Sequence, residues 1–300
     1  MPVDRDIPAV AIINYNTRDH LKACLRTVLA DNPAEVVVVD NHSKDRSVEM
    51  VRRLFPSVTV VANSTNIGYG AAANQAIARC SSPYVAVLNS DTLLCPGALR
   101  TFGEYMQRHP EAGMMGPKLL NSDGTLQPSC YPLPGTLRWV FDNDVSAPLI
   151  RLVPGLRELC FRTWSHDRPR KVPWVKGAVM VIRREALSSI GGFDPSIFLY
   201  HEETDVCLRM RDKGWETHFV PVPPVIHIGE ASTGQQRAEM TVQLYRSTVT
   251  YYERHYSKLR VWLLVALWRI FTGTRSLIGA LRPWGALEKN PLEYRSLLDR

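Results

Sequence analysis

Asn89-Ser90-Asp91 follows the apolar run Tyr84–Leu88 and sets a carboxylate where a chain leaving a strand can reach a divalent cation. Hard oxygen ligands of this kind suit Mg²⁺ or Mn²⁺. The tripeptide alone is a weak signal, because such residues serve equally as the N-cap of a following helix. Glu202, Glu203 and Asp205 fall within four residues of an otherwise basic chain. At a helix N-terminus they gain from the helix dipole, and one of them can also take a proton from an attacking hydroxyl. His227 follows another apolar run, Val225-Ile226. It is a hydrogen-bonded structural residue unless it faces the same cleft as Asp91, where one imidazole nitrogen could bind a metal. The turn Asp40 to Asp45 carries carboxylates and amides able to take the N–H of a base or the hydroxyls of a ribose.

These groups need elements to carry them. Ala9–Ile13, Val36–Val39, Val58–Ala62 and Tyr84–Leu88 read as strands, and Asp19–Leu29, Ser47–Leu54 and Gly68–Arg79 as the helices between them. Cys95-Pro96-Gly97 opens a further helix, with Pro suited to its first turn. Repeated β-α units imply a mostly parallel sheet with right-handed crossovers. Each strand ends in polar residues: Asn14/Asn16, Asp40/Asn41, Asn63/Asn66 and Asn89/Asp91. Ligands of open α/β sheets bind at that edge, and four strands in succession form a stronger signal than any one. Further on, Asp123-Gly124 turns a hairpin and 129–173 reads as a long loop with a short helix. Trp174–Ile182 reads as one strand, followed by a helix over Arg183–Ile190 and an acidic helix closed by Gly214. Thr217–Val220 leads to His227, and two long helices with a polar tail follow Gln235.

The composition narrows the classes. With 300 residues, 45% hydrophobic and 22% charged, the chain can bury a large core and is not mainly disordered. The net charge of +7 fits nucleic acid, phosphorylated small molecules or an anionic membrane without choosing among them. Six cysteines with no C-x-x-C pair suggest neither a disulfide scaffold nor a zinc-thiolate site. The N-terminus lacks the pattern of a signal peptide, so a cytoplasmic location is expected. Neither G-x-G-x-x-G nor a P-loop is present, which disfavours dinucleotide and P-loop sites.

The ordered set Asn14-Tyr15-Asn16, Asp40-Asn41-x-Ser43-x-Asp45, Asn66-x-Gly68 with Asn74, Asn89-x-Asp91, Trp174-Val175-x-Gly177-Ala178, Gly192-Phe193-Asp194, Glu202-Glu203-x-Asp205 and His227 resembles family 2 of the nucleotide-sugar glycosyltransferases. The likeness is greatest to the bacterial rhamnosyltransferase-like branch and spans about residues 8 to 232. It implies an α/β GT-A fold, a dTDP- or UDP-sugar donor, a divalent metal (Mg²⁺ or Mn²⁺) and inversion at the anomeric carbon. It further implies that Asn14, Asn16, Asp40 and Asn41 line the nucleotide pocket, and that Asn66, Gly68, Asn74 and Asn89 lie on the donor side. Asp91 would hold the metal with His227, and Gly177 would lie against the donor sugar. Trp174, Asp194 and Asp205 would belong to the acceptor side, and Glu203 would be the base, with Glu202 competing. Two departures matter: Asn89 replaces the first Asp of the metal-binding D-x-D motif, and Glu203 stands where the family usually has Asp.

On this reading 1–115 is the donor half and 116–232 the acceptor half of one GT-A domain, with a C-terminal helical extension over 233–300. The apolar stretch between Arg260 and Arg269 is too short to span a bilayer, which takes about 20 residues. Its Arg, Lys and Trp suit an interfacial helix over 258–282 on the inner face of the cell membrane, beside a lipid-linked or polysaccharide acceptor. Packing on the catalytic domain or in a homodimer would use the same face. Two other functions compete. A nucleotidyltransferase making NDP-sugars would carry a Gly- and Arg-rich loop after the first strand, which Asn14 to Asp19 lacks. A basic nucleic-acid-binding protein would show a binding motif, and none is recognisable, so no nucleic-acid partner is expected.

Overall fold

The computed structural model describes residues 7–134, 161, 164–229 and 237–266. Most of the stretch read as a long loop, including its short helix, and the tail beyond 266 lie outside the described residues. The chain divides into two compact units, one drawn from Met1–Phe198 and Glu202–Gln235, the other from Leu199–His201 and Gln236–Arg300.

In the first unit, β1 (Ala9–Asn14), β2 (Val36–Asp40), β3 (Thr59–Ala62) and β4 (Tyr84–Asn89) are all parallel, in the order β3-β2-β1-β4. β1 and β2 are buried at every position, as continuous β-branched runs in a covered parallel sheet should be. α1 (Arg18–Ala30), α2 (Ser47–Leu54) and α3 (Tyr69–Ile77) make the crossovers. α1 buries Leu21, Cys24, Leu25 and Val28, one stripe at helical spacing. After β5 (Thr92–Leu94) comes α4 (Ala98–Arg108). Pro96 is not in the first turn of α4 as expected but precedes its Gly97 cap. The Asp31 carboxylate takes the N–H groups of Gly97 and Leu99 at 2.5 and 2.7 Å, replacing a local cap.

The second half of the sheet is mixed. β6 (Ala112–Leu120) hairpins into β7 (Leu126–Gln127), and β12 (Glu216–His227) runs parallel to β6 with a register shift between Val220 and Val225. β11 (Val179–Arg183) lies antiparallel between β4 and β6, completing the order β3-β2-β1-β4-β11-β6-β12-β5. β9 (Arg170–Lys171) adds to β12. The strand expected over 174–182 is two strands. β10 (Trp174–Val175) pairs with β8 (Cys130–Tyr131) in a separate small sheet, and β11 joins the main one. The backbone changes sheets across Lys176–Ala178, where Lys176 N–H donates to the Ser129 carbonyl. α5 (Arg184–Ser189) and α6 (Glu202–Asp212) cover one face with α3, and α1, α2 and α4 cover the other.

The second unit holds α7 (Arg237–His255) and helical backbone over 258–266. The Ser247 hydroxyl donates to the Leu199 carbonyl at 2.6 Å, and the His201 ring lies 2.9 Å from the Thr248 hydroxyl and stacks on Tyr251. Burial pushes the His201 imidazole down to about 4. Among the described residues no helix is long and apolar enough to cross a membrane.

Gly68 opens α3 at φ +86°, ψ +169°, and a Cβ there would sit 2.5 Å from the Phe198 carbonyl oxygen. Gly97 has a similar φ of +79° with nothing within 4 Å of its Cβ position. Gly68→Ala should therefore lose about 2 kcal/mol or more in urea unfolding, and Gly97→Ala about 1 kcal/mol. Equal losses would show that the Phe198 contact carries no weight.

Candidate functional site

The parallel pairing aligns Asn14 with Asp40 and Ile13 with Asn89, so the polar ends of β1, β2 and β4 meet at one edge. β11 runs the other way, which brings its beginning, and Gly177 just before it, to that same edge. His227 ends β12 opposite Thr92 of β5, beside Asp91.

Asn14 and Asp40 are buried beneath this edge rather than lining a pocket. The Asn14 amide donates to Asp40 Oδ2 at 2.7 Å and to Ser43 Oγ at 3.2 Å, and its carbonyl accepts from Thr17. Asp40 Oδ1 accepts from Ser43 N–H at 2.8 Å. A buried polar group must find partners, and these two find them in each other, in Ser43 and in Thr17. Their work is to shape the 40–45 turn. Asn41 is likewise buried, joining Gly68 and Asn63. Asn16 is half-buried above it, at φ +53°, its carbonyl accepting from Lys44 N–H at 2.7 Å. Asn66 caps the Gly68 turn at 3.0 Å.

Asp91 and His227 do come together. His227 Nε2 lies 3.4 Å from Asp91 Oδ1 and 3.4 Å from the Asn89 amide nitrogen. Gln127 fixes the imidazole. Its Nε2 donates to Asn121 Oδ1 and to the His227 carbonyl, which leaves Oε1 to accept from His227 Nδ1 at 2.6 Å. With the proton on Nδ1, the Nε2 lone pair faces a carboxylate oxygen. The Asn89 amide nitrogen meets that lone pair at 3.4 Å, and a cation between carboxylate and imidazole would satisfy both, so this pair fits a divalent metal.

Glu202 and Glu203 open α6 beside Gly177. Glu203 Oε1 accepts from Gly177 N–H at 3.3 Å, and its Oε2 is buried with no hydrogen-bond partner. Glu202 is 5% exposed, and its Oε2 is also unpartnered. Burial pushes both carboxyls up. For Glu202 the neighbouring Glu203 adds to the rise, while backbone N–H groups and Lys176 restrain that of Glu203. Glu203 is half-buried and the less perturbed of the two. Gly177 thus faces Glu203, with its Cβ position 3.5 Å from that carboxyl.

Asp205 is buried and pairs with Arg209 at 2.8 Å; the same guanidinium reaches the carbonyls of Ile190 and Gly192. It braces α6. The Asp194 carboxylate accepts from Ser196 N–H in a tight turn. Trp174 stacks against Tyr131 and donates to the Pro132 carbonyl. Asn74 clamps both backbone groups of Phe193 at 2.8 and 2.9 Å. Three residues went unnoticed in the sequence: Gln127, Lys176, whose ammonium lies 3.2 Å from Gln127 Oε1, and Tyr69, whose hydroxyl donates to the Gly177 carbonyl at 2.9 Å. Burial raises the Tyr69 phenol well above its usual range, with help from Glu202, Glu203 and Asp91. Position just after a strand or at a helix start could have flagged Lys176 and Tyr69; nothing in the sequence marks Gln127.

Residues 9–131 match the profile of Glycosyl transferase family 2, and residues 160–287 that of Glycosyl transferase family group 2. The chain belongs to the family 2 glycosyltransferases. This glycosyltransferase is 28% identical over 268 residues to an N-acetylglucosaminyl-diphospho-decaprenol L-rhamnosyltransferase of Mycobacterium tuberculosis, covering 83% of this chain and 85% of that one. It is 21% identical to the rhamnosyltransferase WbbL of Escherichia coli, over 73% and 82% of the two chains. The fold is GT-A. A mannosyltransferase of Pyrobaculum calidifontis with GDP-Man and Mn²⁺ superposes with TM-score 0.55 at 17% identity, over 85% of this chain and 67% of that one. GalNAc-T7 with UDP, GalNAc and Mn²⁺ gives 0.54 at 16% identity, where this chain covers 74% of its own length and 44% of that chain.

The carboxyl pair yields two measurements. Glu203→Gln should lower kcat by about 10²–10⁴-fold with donor affinity little changed, and Glu202→Gln should lower it less; the reverse order would make Glu202 the base. Stability should respond to pH as well. A carboxyl whose folded pKa is raised stabilises the fold below its unfolded pKa, and that contribution is lost as pH rises through the folded one. Glu202→Gln should therefore melt higher than wild type at pH 7–8, with the gap closing toward about pH 4.

Proposed function

We propose that this glycosyltransferase moves a sugar, rhamnose from dTDP-rhamnose by preference, onto a hydroxyl of a lipid-linked or polysaccharide acceptor, with inversion and with Mg²⁺ or Mn²⁺ as cofactor. Membership of the family supports the reaction class. The named activities of the two rhamnosyltransferase relatives support the sugar and the acceptor class. The observation that carries the site assignment is the pairing of Asp91 with His227, its tautomer fixed by Gln127, at the edge where Glu203 also lies.

The residues divide the work. The 40–45 turn, shaped from below by Asn14 and Asp40, and Asn16 above it receive the base and ribose. Asp91 and His227 hold the metal, with the Asn89 amide in reach, and the bound ion supplies a positive charge against which a nucleoside diphosphate can leave. Glu203 takes the proton of the acceptor hydroxyl; Gly177 N–H holds the other end of its carboxylate, and burial keeps its affinity for protons high. Such a base is useful because sugar hydroxyls are too weakly acidic to attack unaided at neutral pH. With acid and base duties separated, no covalent sugar-enzyme intermediate is required.

The helical backbone at 258–266 displays Leu259 and Trp262, each 65% exposed, beside Lys258 and Arg260. This supports peripheral contact with anionic lipid at the inner face of the cell membrane, where each basic residue adds about 1 kcal/mol. Binding to anionic vesicles at low salt should fall when Trp262 and Leu259 become Ser; unchanged binding would assign the face to protein packing.

Turnover should require Mg²⁺ or Mn²⁺ and stop in excess chelator. Asp91→Ala should abolish most of it with the fold intact. Gln127→Leu, which frees the His227 tautomer, should weaken metal activation by about 10–100-fold. A panel of nucleotide sugars scored for hydrolysis identifies the donor, and preference for a donor other than dTDP-rhamnose would overturn that part of the reading.

A further inference from the structure

At the opposite edge of the sheet, three metal-ligating side chains, His109, Glu111 and His218, converge where α4 ends and β6 and β12 begin, and Glu216 lies beside His218. His109 Nδ1 lies 3.0 Å from Glu111 Oε1, and His218 Nε2 lies 2.8 Å from Glu216 Oε2. The ligating atoms of His109, Glu111 and His218 all fall within 4.8 Å of one another. The two imidazoles stand edge to face, with centroids 5.5 Å apart.

The frame under them is fixed. Ala112 N–H donates to the His109 carbonyl, and Glu216 N–H to the Glu111 carbonyl, each at 3.0 Å. The Arg183 guanidinium binds the carbonyls of Met106, His109 and Ala112, locking the helix end to the strand start. Tyr105 does two things: its ring stacks on His109 at 4.2 Å, and its hydroxyl lies 2.9 Å from His218 Nδ1. If His218 keeps its proton on Nδ1 and donates it to that hydroxyl, the Nε2 lone pair is left pointing at Glu216. An outer partner that orients a histidine in this way is the usual support of a metal ligand. Lys171 occupies the other oxygen of Glu216, so one oxygen of that carboxylate is turned toward His218.

We propose that His109, Glu111, His218 and Glu216 form a second metal site, separate from the Asp91 site, that takes Zn²⁺ as a structural clip. Two imidazoles with two carboxylates suit zinc, whereas Mg²⁺ and Ca²⁺ favour oxygen alone. Tetrahedral zinc with bonds of about 2.0–2.1 Å sets its ligands about 3.3 Å apart. The two short pairs already lie near that spacing. The wider separations, up to 4.8 Å among His109, Glu111 and His218, would close on binding, chiefly by rotation of Glu111, which is 42% exposed. The clip would join α4, β6 and β12 on the side of the sheet away from the transferase chemistry, and it does not rest on any reading of that chemistry.

The test uses the full chain, stripped with a chelator and dialysed against Zn²⁺ in the presence of excess Mg²⁺. One zinc should stay bound per chain, measured by elemental analysis, and the melting temperature should rise with it. Co²⁺ in its place should give the intense visible bands of four-coordinate cobalt. His109→Ala and Glu111→Gln, both at exposed positions, should each weaken zinc binding at least about tenfold, and Tyr105→Phe by about 10–100-fold. Asp91→Asn should leave it unchanged. Zinc uptake indifferent to His109→Ala, or abolished by Asp91→Asn, would overturn the proposal, as would a chain that holds no zinc against dialysis; the four groups would then be two plain ion pairs.

Discussion

The antiparallel insertion of β11 between β4 and β6 is the constraint on which the site depends. A wholly parallel sheet would offer at its binding edge only the trailing ends of strands, each followed by a turn. Reversing one strand brings a leading end there as well, and with it the Lys176–Gly177 approach to the sheet. The Gly177 backbone then becomes the point where three elements meet: its N–H holds Glu203 of α6 and its carbonyl holds Tyr69 of α3. Glu203 and Tyr69 are thereby set against the same backbone turn by backbone geometry, with little left to side-chain rotamers.

The parallel half was legible because its strands are pure apolar runs and its turns are polar, so element type and edge could both be read. The position of Asp91 just after a strand and of the acidic pair at a helix start was legible for the same reason. Other features were hidden for identifiable causes. β6 reads AGMMGPKLL, whose two glycines and one proline mask a strand that is nonetheless buried along most of its length. The break between β10 and β11 leaves no trace in Trp174–Ile182, since both pieces are apolar and the change of sheet is set by pairing with Cys130–Tyr131. Asn14 and Asp40 were expected to line the nucleotide pocket and instead bond to one another beneath the edge, because spacing does not tell whether two polar residues face a ligand or each other. Gln127 could not be found at all. Its importance comes from a hairpin that folds it 100 positions back onto His227.

Two buried carboxylates side by side are an expensive arrangement, and the surrounding structure carries the strain. Both lie at the start of a helix, where backbone N–H groups and the dipole favour negative charge. Lys176 adds a cation from the facing turn. Asp205, the third acid of the cluster, is neutralised separately by Arg209, which also ties α6 to the end of α5. Repulsion is thus confined to Glu202 and Glu203.

The strap between Phe193 and Phe198 has a consequence for how such a chain can diversify. Asn74 holds one end by both backbone groups of Phe193, and Tyr69 N–H holds the other by the Phe198 carbonyl. Pro195 and Ser196 between these anchors are exposed, while the anchors themselves fix where the chain turns toward α6. Residues at the crest of the strap can therefore be exchanged, or their number altered, without moving the carboxylate proposed as the base, which follows. Selection for a new acceptor could act on this crest as on an interchangeable part, leaving the reaction machinery inherited unchanged.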